Sequence, residues 1–145
     1  MMREILFRGK QPNGKWEQGD LTQFCIDEEL TTKISNHEVK ATLNGLRVVT
    51  YTNEVIPETV GQYTGLTDKN GKAIFEGDIV KFCDIKGVIN FGMGCYCVKT
   101  NKPDWKSRNN PAIDIVLNEY ENELEIIGNI HDNPELLKEG ANDDL

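Results

Sequence analysis

Between Gln62 and Phe82 the chain reads QYTGLTDKNGKAIFEGDIVKF, and that run reverses direction twice within a few residues of itself. Asp68-Lys69-Asn70-Gly71 is the first reversal, because Asn-Gly tolerates positive φ at both central positions of a tight hairpin turn. Glu76-Gly77-Asp78 is the second: Gly77 supplies dihedrals closed to other residues, and Asp78 can accept hydrogen bonds from nearby amides. Between and after these breaks the residues are apolar and β-branched, ending in Ile79-Val80-Lys81-Phe82. Turns this close together leave room only for short antiparallel strands, the cadence of a small β-barrel or sandwich.

The remainder follows the same grammar. Ile5 to Arg8 is a first strand, which Gln11-Pro12-Asn13-Gly14 returns through Lys15-Trp16-Glu17. Gly19-Asp20 echoes Gly77-Asp78, with Leu21 to Ile26 as the next strand. Residues 27–45 read as short polar strands or an ordered excursion, opened by the charge run Asp27-Glu28-Glu29. Asn44-Gly45 then turns the chain into a strand from Leu46 to Tyr51, and Ile56-Pro57 ends it. A third reversal is expected at Asp84-Ile85-Lys86-Gly87, leading to Val88 to Phe91. Gly92-Met93-Gly94 turns the chain again into Cys95 to Lys99. Residues 100–111 form a long loop, and Ile113 to Leu117 and Leu124 to Ile127 are the last strand candidates. At the end Asn133 caps a short helix, Pro134 takes its first position, Glu135 favours its positive end and Gly140 closes it, with Leu136 and Leu137 facing the core.

The run from Gln62 to Phe82, the opening REILFRG and the closing LEIIGNIHDNPELL together resemble the YopX family of phage and prophage proteins. The resemblance spans most of the chain and leaves residues 25–55 and 99–118 as variable insertions. It implies a mainly β protein: an SH3-type small β-barrel with a short C-terminal helix in residues 57–145, and a smaller β-rich N-terminal lobe in residues 1–56. It implies a phage context inside a bacterial host, but no reaction and no cofactor.

With 38% hydrophobic and 28% charged residues the chain can form a core. No apolar run is long enough for a transmembrane helix, and Arg3, Glu4, Arg8 and Lys10 interrupt the start in a way a signal peptide does not. A cytoplasmic location is therefore expected, with Cys25, Cys83, Cys95 and Cys97 as reduced thiols. Positive and negative side chains balance through Leu117, so the whole net charge of -8 falls in residues 118–145. That end repels phosphate backbones and favours solubility.

Tested against specific chemistries, the residues exclude more than they support. Cys95-x-Cys97 places two thiols on one side of a strand, with Cys83 on a neighbouring strand as the third ligand of a metal alternative. The usual zinc spacing and a second cysteine pair are both missing, which favours structural thiols. Asp68 to Asn70 fails as a calcium loop, since Ala73 stands where glycine is needed and Ile79 where the bidentate glutamate should be. Gly61 to Lys72 lacks the end of a phosphate loop, and no Gly-x-Ser-x-Gly elbow exists. His37 and His131 have no local partners of a nucleophile relay, which the fold would have to assemble. Glu119, Glu121, Glu123 and Glu125 alternate as a solvent face does, more than as a catalytic carboxylate pair.

The loop Lys99 to Arg108 is the candidate binding surface: Lys99, Lys102, Lys106 and Arg108 surround Trp105, a combination that can hold phosphates and stack a base. Against it, one basic loop in a balanced or acidic chain is a thin footprint, and Trp105 can equally fold back on the core. The expectation is a non-enzymatic accessory protein without cofactor that binds a host or phage protein. Its N-terminal lobe packs on the barrel or mediates self-association into a homo-oligomer. The alternatives are a single-stranded nucleic-acid module built on the Lys99 to Arg108 loop and a metal-dependent enzyme.

Overall fold

The computed structural model describes residues 4–92, 94–100 and 123–137. The chain divides into two units, Met1–Gln62 and Tyr63–Leu145. Both are antiparallel β, so the mainly β class is what is found. The described strands form two sheets and, among themselves, no closed barrel.

In the first unit β1 (Phe7–Lys10), β2 (Trp16–Ile26), β3 (Glu29–Thr42) and β4 (Gly45–Glu54) lie in the order β4-β3-β2-β1. The first residues of β5 (Gly61–Thr67) add to the far side of β1 through Phe7↔Gln62 and Arg8↔Gly61. The core is small: among the described residues Ile34 and Val55 are its buried hydrophobics, joined by buried Thr32 and Thr59. Gly9 lies against them so closely that a Cβ there would sit 2.9 Å from Val55 Cγ2 and 3.1 Å from Ile34 Cδ1, which explains the glycine of the opening motif. Thr59, in the 3-10 turn Pro57–Thr59, accepts the Lys10 amide at 2.8 Å and donates to the Ile56 carbonyl at 2.6 Å.

Two expectations change here. Residues 29–42 make one long strand rather than several short ones, and the charge run is its entry turn, with Asp27 at φ 51° and Glu28 at φ 68°. Two residues of left-handed conformation give the twist that a two-residue hairpin needs, and no glycine marks it in the sequence. Gly19-Asp20 is not a junction like Gly77-Asp78 but runs inside β2, where a Cβ on Gly19 would meet the Ser35 carbonyl oxygen.

The second unit holds the rest of β5, β6 (Ala73–Phe75) and a four-stranded sheet in the order β10-β7-β8-β9. Those strands are β7 (Asp78–Phe82), β8 (Ile85–Gly92), β9 (Cys95–Thr100) and β10 (Glu125–Asn129). Ile74, Val80, Phe82, Ile85, Ile89, Val98 and Leu124 form its core, with Leu66, Tyr96 and Ile126 packed against them. The reversal expected at Asp84 to Gly87 falls earlier, on Cys83 at φ 48° and Asp84 at φ 61°. Gly87 belongs to β8, where a Cβ would stand 2.5 Å from Val98 Cγ1. Its role is close packing between strands, not turning.

The stretch from Gln62 to Phe82 is the clasp of this unit. Of its first reversal only Gly71 has positive φ, at 79°, and its amide donates to the Asp68 carbonyl at 3.0 Å. Asp68 is buried; Oδ1 accepts the Asn70 and Lys72 amides at 2.9 Å each, and Oδ2 accepts the Ile126 amide at 3.1 Å. The Lys69 amide donates to the Leu124 carbonyl at 3.0 Å, so one turn holds both itself and the start of β10. At the second reversal Gly77, φ 88°, donates to the Ile89 carbonyl and accepts from the Ile130 amide. Buried Asp78 accepts the Phe75 amide at 2.8 Å.

At the C-terminal end residues 135–137 are helical. The Asn133 side chain does not cap them as expected; its Oδ1 turns back to accept the Asn129 amide at 3.3 Å, over Gly128. The helix start is held by its backbone instead, through the Asn133 carbonyl and the Leu136 amide at 3.1 Å. Gly140 and the strand expected at Ile113 to Leu117 lie outside the described residues.

Candidate functional site

Of the candidate binding residues in the basic loop, only Lys99 is described, exposed on β9 opposite Val88. Lys102, Trp105, Lys106 and Arg108 lie outside the described residues, as do Glu119 and Glu121. Glu123 is exposed, and Glu125 lies 3.4 Å from the Lys69 Nζ, an exposed pair that adds little to the clasp.

The cysteines do not assemble as the metal alternative requires. Cys95 and Cys97 bring their sulfurs within 3.5 Å, and both point at the Gly92 carbonyl. Cys83 sits in the turn that begins β8, whereas Cys97 pairs with Asn90 toward the other end of that strand. Seven residues of strand separate them, about 20 Å. Among the described residues no three His, Cys, Asp or Glu side chains are placed to hold a metal ion. Burial pushes the Cys97 thiol above its ordinary pKa, and the adjacent Cys95 adds to the effect. Cys95 is exposed and Cys97 buried. Limited treatment with iodoacetamide near neutral pH will therefore label Cys95 at least about tenfold faster than Cys97. Peptide mass spectrometry reads the two sites separately, and equal rates would contradict the buried, protonated state of Cys97.

The relay that no local motif supplied is assembled by strand register. Asp20↔Ser35 and His37↔Thr50 are cross-strand partners, which sets His37 between Asp20 and Thr50. His37 Nε2 lies 2.8 Å from Asp20 Oδ2, and Nδ1 lies 3.0 Å from Thr50 Oγ1. The connectivity is that of an acid, a base and a hydroxyl, but the setting is an open strand face. The His37 and Asp20 side chains are 49% and 66% exposed, so water competes for every contact. The set is best described as a polar tie across three strands.

The same face carries the feature that most distinguishes the first unit. Residues alternate sides along a strand, so Val39 on β3 and Leu46 and Val48 on β4 share the face of His37 and Thr50. Val39 is 63% exposed, Leu46 80% and Val48 62%, while Leu43 at the tip is fully exposed. The β2–β3 ladder ends at the Asp20↔Ser35 pair; beyond it β2 reaches β3 through side chains, Asn36 donating to Glu17 at 2.8 Å and His37 meeting Asp20, and residues 37–50 pair as a two-stranded ribbon. Most of the large hydrophobic side chains exposed among the described residues lie between Phe24 and Tyr51. The signal for this surface was in the sequence: apolar residues alternate on both sides of Asn44-Gly45. Its polar neighbours Glu38, Lys40 and Arg47 disguised it, because an exposed strand and a loop have similar composition.

The comparisons agree with this architecture. The structure resembles the crystal structure of protein EF1440 from Enterococcus faecalis, with a TM-score of 0.57 at 22% sequence identity over 94% of this chain and 99% of that one. A search of curated protein sequences returned no match. The model of the YopX protein family matches residues 6–138. That span includes the glycine and aspartate clasp whose geometry is given above, and the chain belongs to the YopX family.

Proposed function

We propose that this protein is a phage or prophage accessory factor that works in the bacterial cytoplasm by binding another protein, not by catalysis. In this reading residues 57–145 are a rigid SH3-type scaffold and the β3–β4 hairpin is the contact surface. The observation that carries it is the concentration of exposed Val39, Leu43, Leu46 and Val48 on one hairpin. Contiguous exposed apolar surface rimmed by polar groups marks interaction sites in soluble proteins. The open setting of Asp20, His37 and Thr50 supports a contact face with hydrogen-bonding groups at its centre.

Replacing Val39, Leu46 and Val48 with threonine tests this directly. Threonine keeps β-branching, or introduces it at Leu46, so the strands persist while the apolar surface is lost. The tagged triple variant will melt within about 3 °C of wild type, as surface substitutions do. It will recover at least about tenfold less of any partner that the wild type captures from phage-induced cells. Undiminished capture would move the contact surface elsewhere. Capture of single-stranded oligonucleotide in a low-salt polarisation assay, with no protein partner, would replace this function with nucleic-acid binding.

A further inference from the structure

The free edge of β4 belongs to the same hairpin, and it is complete enough to specify a partner. The Val55 amide donates to the Thr32 carbonyl at 3.0 Å, which fixes the phase of the β3–β4 ladder. Stepping by two along the register from that bonded pair gives Ile34↔Asn53, Asn36↔Tyr51, Glu38↔Val49 and Lys40↔Arg47 as the hydrogen-bonded pairs. Leu46, Val48, Thr50, Thr52 and Glu54 therefore turn their amide and carbonyl groups away from β3. β4 is the outermost strand of its sheet, and no backbone partner for those groups occurs among the described residues.

Protected edges carry proline, a bulge or an inward charge. β4 has none of these: its register with β3 is unbroken over ten pairs, and Arg47 is its one basic residue, set near one end with Glu54 at the other. The ribbon it borders is also underbuilt. A lone two-stranded hairpin is marginal in water, and this unit buries only Ile34 and Val55 as core hydrophobics among its described residues.

We infer that the edge pairs with the β4 edge of a second copy of this chain, antiparallel about a two-fold axis through Val49. The deduction rests on the binding function proposed above and names its partner. Residues opposite one another across antiparallel strands share a face, so such an axis must pass through a residue rather than between two. Centring on Val49 sets Val48 opposite Thr50, both with outward-turned backbone groups, and completes the ladder on both sides. On one face Val49 meets Val49 and each Arg47 lies over the other copy's Tyr51, a cation–aromatic pair. On the other face Leu46 meets Thr52. Centring on Thr50 instead would set Leu46 against Glu54, an apolar side chain against a carboxylate. No like charges oppose each other in the Val49 register, and the two ribbons become four strands.

Sedimentation velocity on the full chain tests it, with a dimer expected at protein concentrations on the order of 10 µM. Val49→Lys and Val49→Glu each place like charges across the axis and will weaken association at least about tenfold. Mixing the two variants will restore a dimer, because the cross-strand pair becomes Lys with Glu. If Val49→Lys melts early, Val49→Cys takes its place. In the register given, the 49–49 pair is not hydrogen-bonded, and its Cα separation of about 4.5 Å lets a mild oxidant such as oxidised glutathione close an intermolecular disulfide. The same substitution at Asn53 would not link two copies.

A wild type that stays monomeric at about 200 µM, or variants that dimerise like wild type, would overturn the pairing. The threonine triple variant separates the two ideas, since it leaves every backbone group of the edge in place. A monomeric wild type whose partner capture is lost on that variant defeats self-pairing and leaves the binding function standing. A dimer that captures nothing else confirms the pairing and removes the heterologous partner.

Discussion

Asp68→Ala will cost the second unit about 3 kcal/mol and lower its melting temperature by on the order of 15 °C. The carboxylate is buried and accepts three amides, from Asn70, Lys72 and Ile126. Removing it leaves three donors without their acceptor; Asn70 and Lys72 are exposed, so water takes up part of that loss, and the half-buried Ile126 amide bears most of it. Hydrogen exchange at those three amides checks the mechanism. Exchange should accelerate there by at least about tenfold, including at Ile126, which lies far away in sequence. Asp68→Asn will fall between, since one carbonyl oxygen remains while the new amide group confronts a donor.

The same residue makes stability depend on pH. Burial alone would raise the Asp68 carboxyl, but the amides of Ile126, Lys72 and Asn70, with the Lys72 charge, outweigh it and hold it below its ordinary value of 3.8. A carboxyl depressed in the folded state stabilises the fold above its unfolded pKa. That contribution disappears as pH falls through the native value. Wild type and Asp68→Asn should therefore differ most near neutral pH and converge in acid. Urea titrations at neutral pH and at about pH 2.5 measure this, and a constant difference would show that the charge is not what the amides recognise.

Phe82→Ala will be costlier still, about 4 kcal/mol, because Phe82 is almost wholly buried among Ile74, Val80, Ile85, Ile89, Val98 and Leu124. Alanine loses the transfer energy of the ring and leaves a cavity that close-packed strands refill poorly. Phe91→Ala is the matched control. Phe91 is 57% exposed and makes an edge-on ring contact with Tyr96, with centroids 5.1 Å apart, so its loss should cost within about 1 kcal/mol. Thermal melts of the two variants should differ by roughly 15 °C. Similar melts would mean that the core does not rest on β7.

Much of the second unit was legible because its turns depend on local chemistry. Gly71 and Gly77 take positive φ, and Asp68 and Asp78 accept amides close by in sequence. The Asp27-Glu28 and Cys83-Asp84 turns were not legible, since neither contains glycine or asparagine and the aspartate in each is paired with a residue, Glu28 or Cys83, that rarely takes left-handed backbone. The β3–β4 hairpin was half legible. Leu46 to Tyr51 read as a strand, but β3 did not, because apolar residues on both of its faces blur the alternation that identifies a half-buried strand.

Sequence alone determined the β class, the sites of most reversals and the failure of Asp68 to Gly71 as a calcium loop, all of which depend on residues a few positions apart, and it determined the family through three motifs whose order along the chain needs no fold to be read. Tertiary structure alone decided that Asp68 holds Ile126, that His37 stands between Asp20 and Thr50, and that Cys83 lies far from Cys97. Each of these is a question of strand register. Shifting a pairing by one residue turns every side chain to the opposite face while leaving composition and local propensity unchanged, so only the folded ladder can answer it.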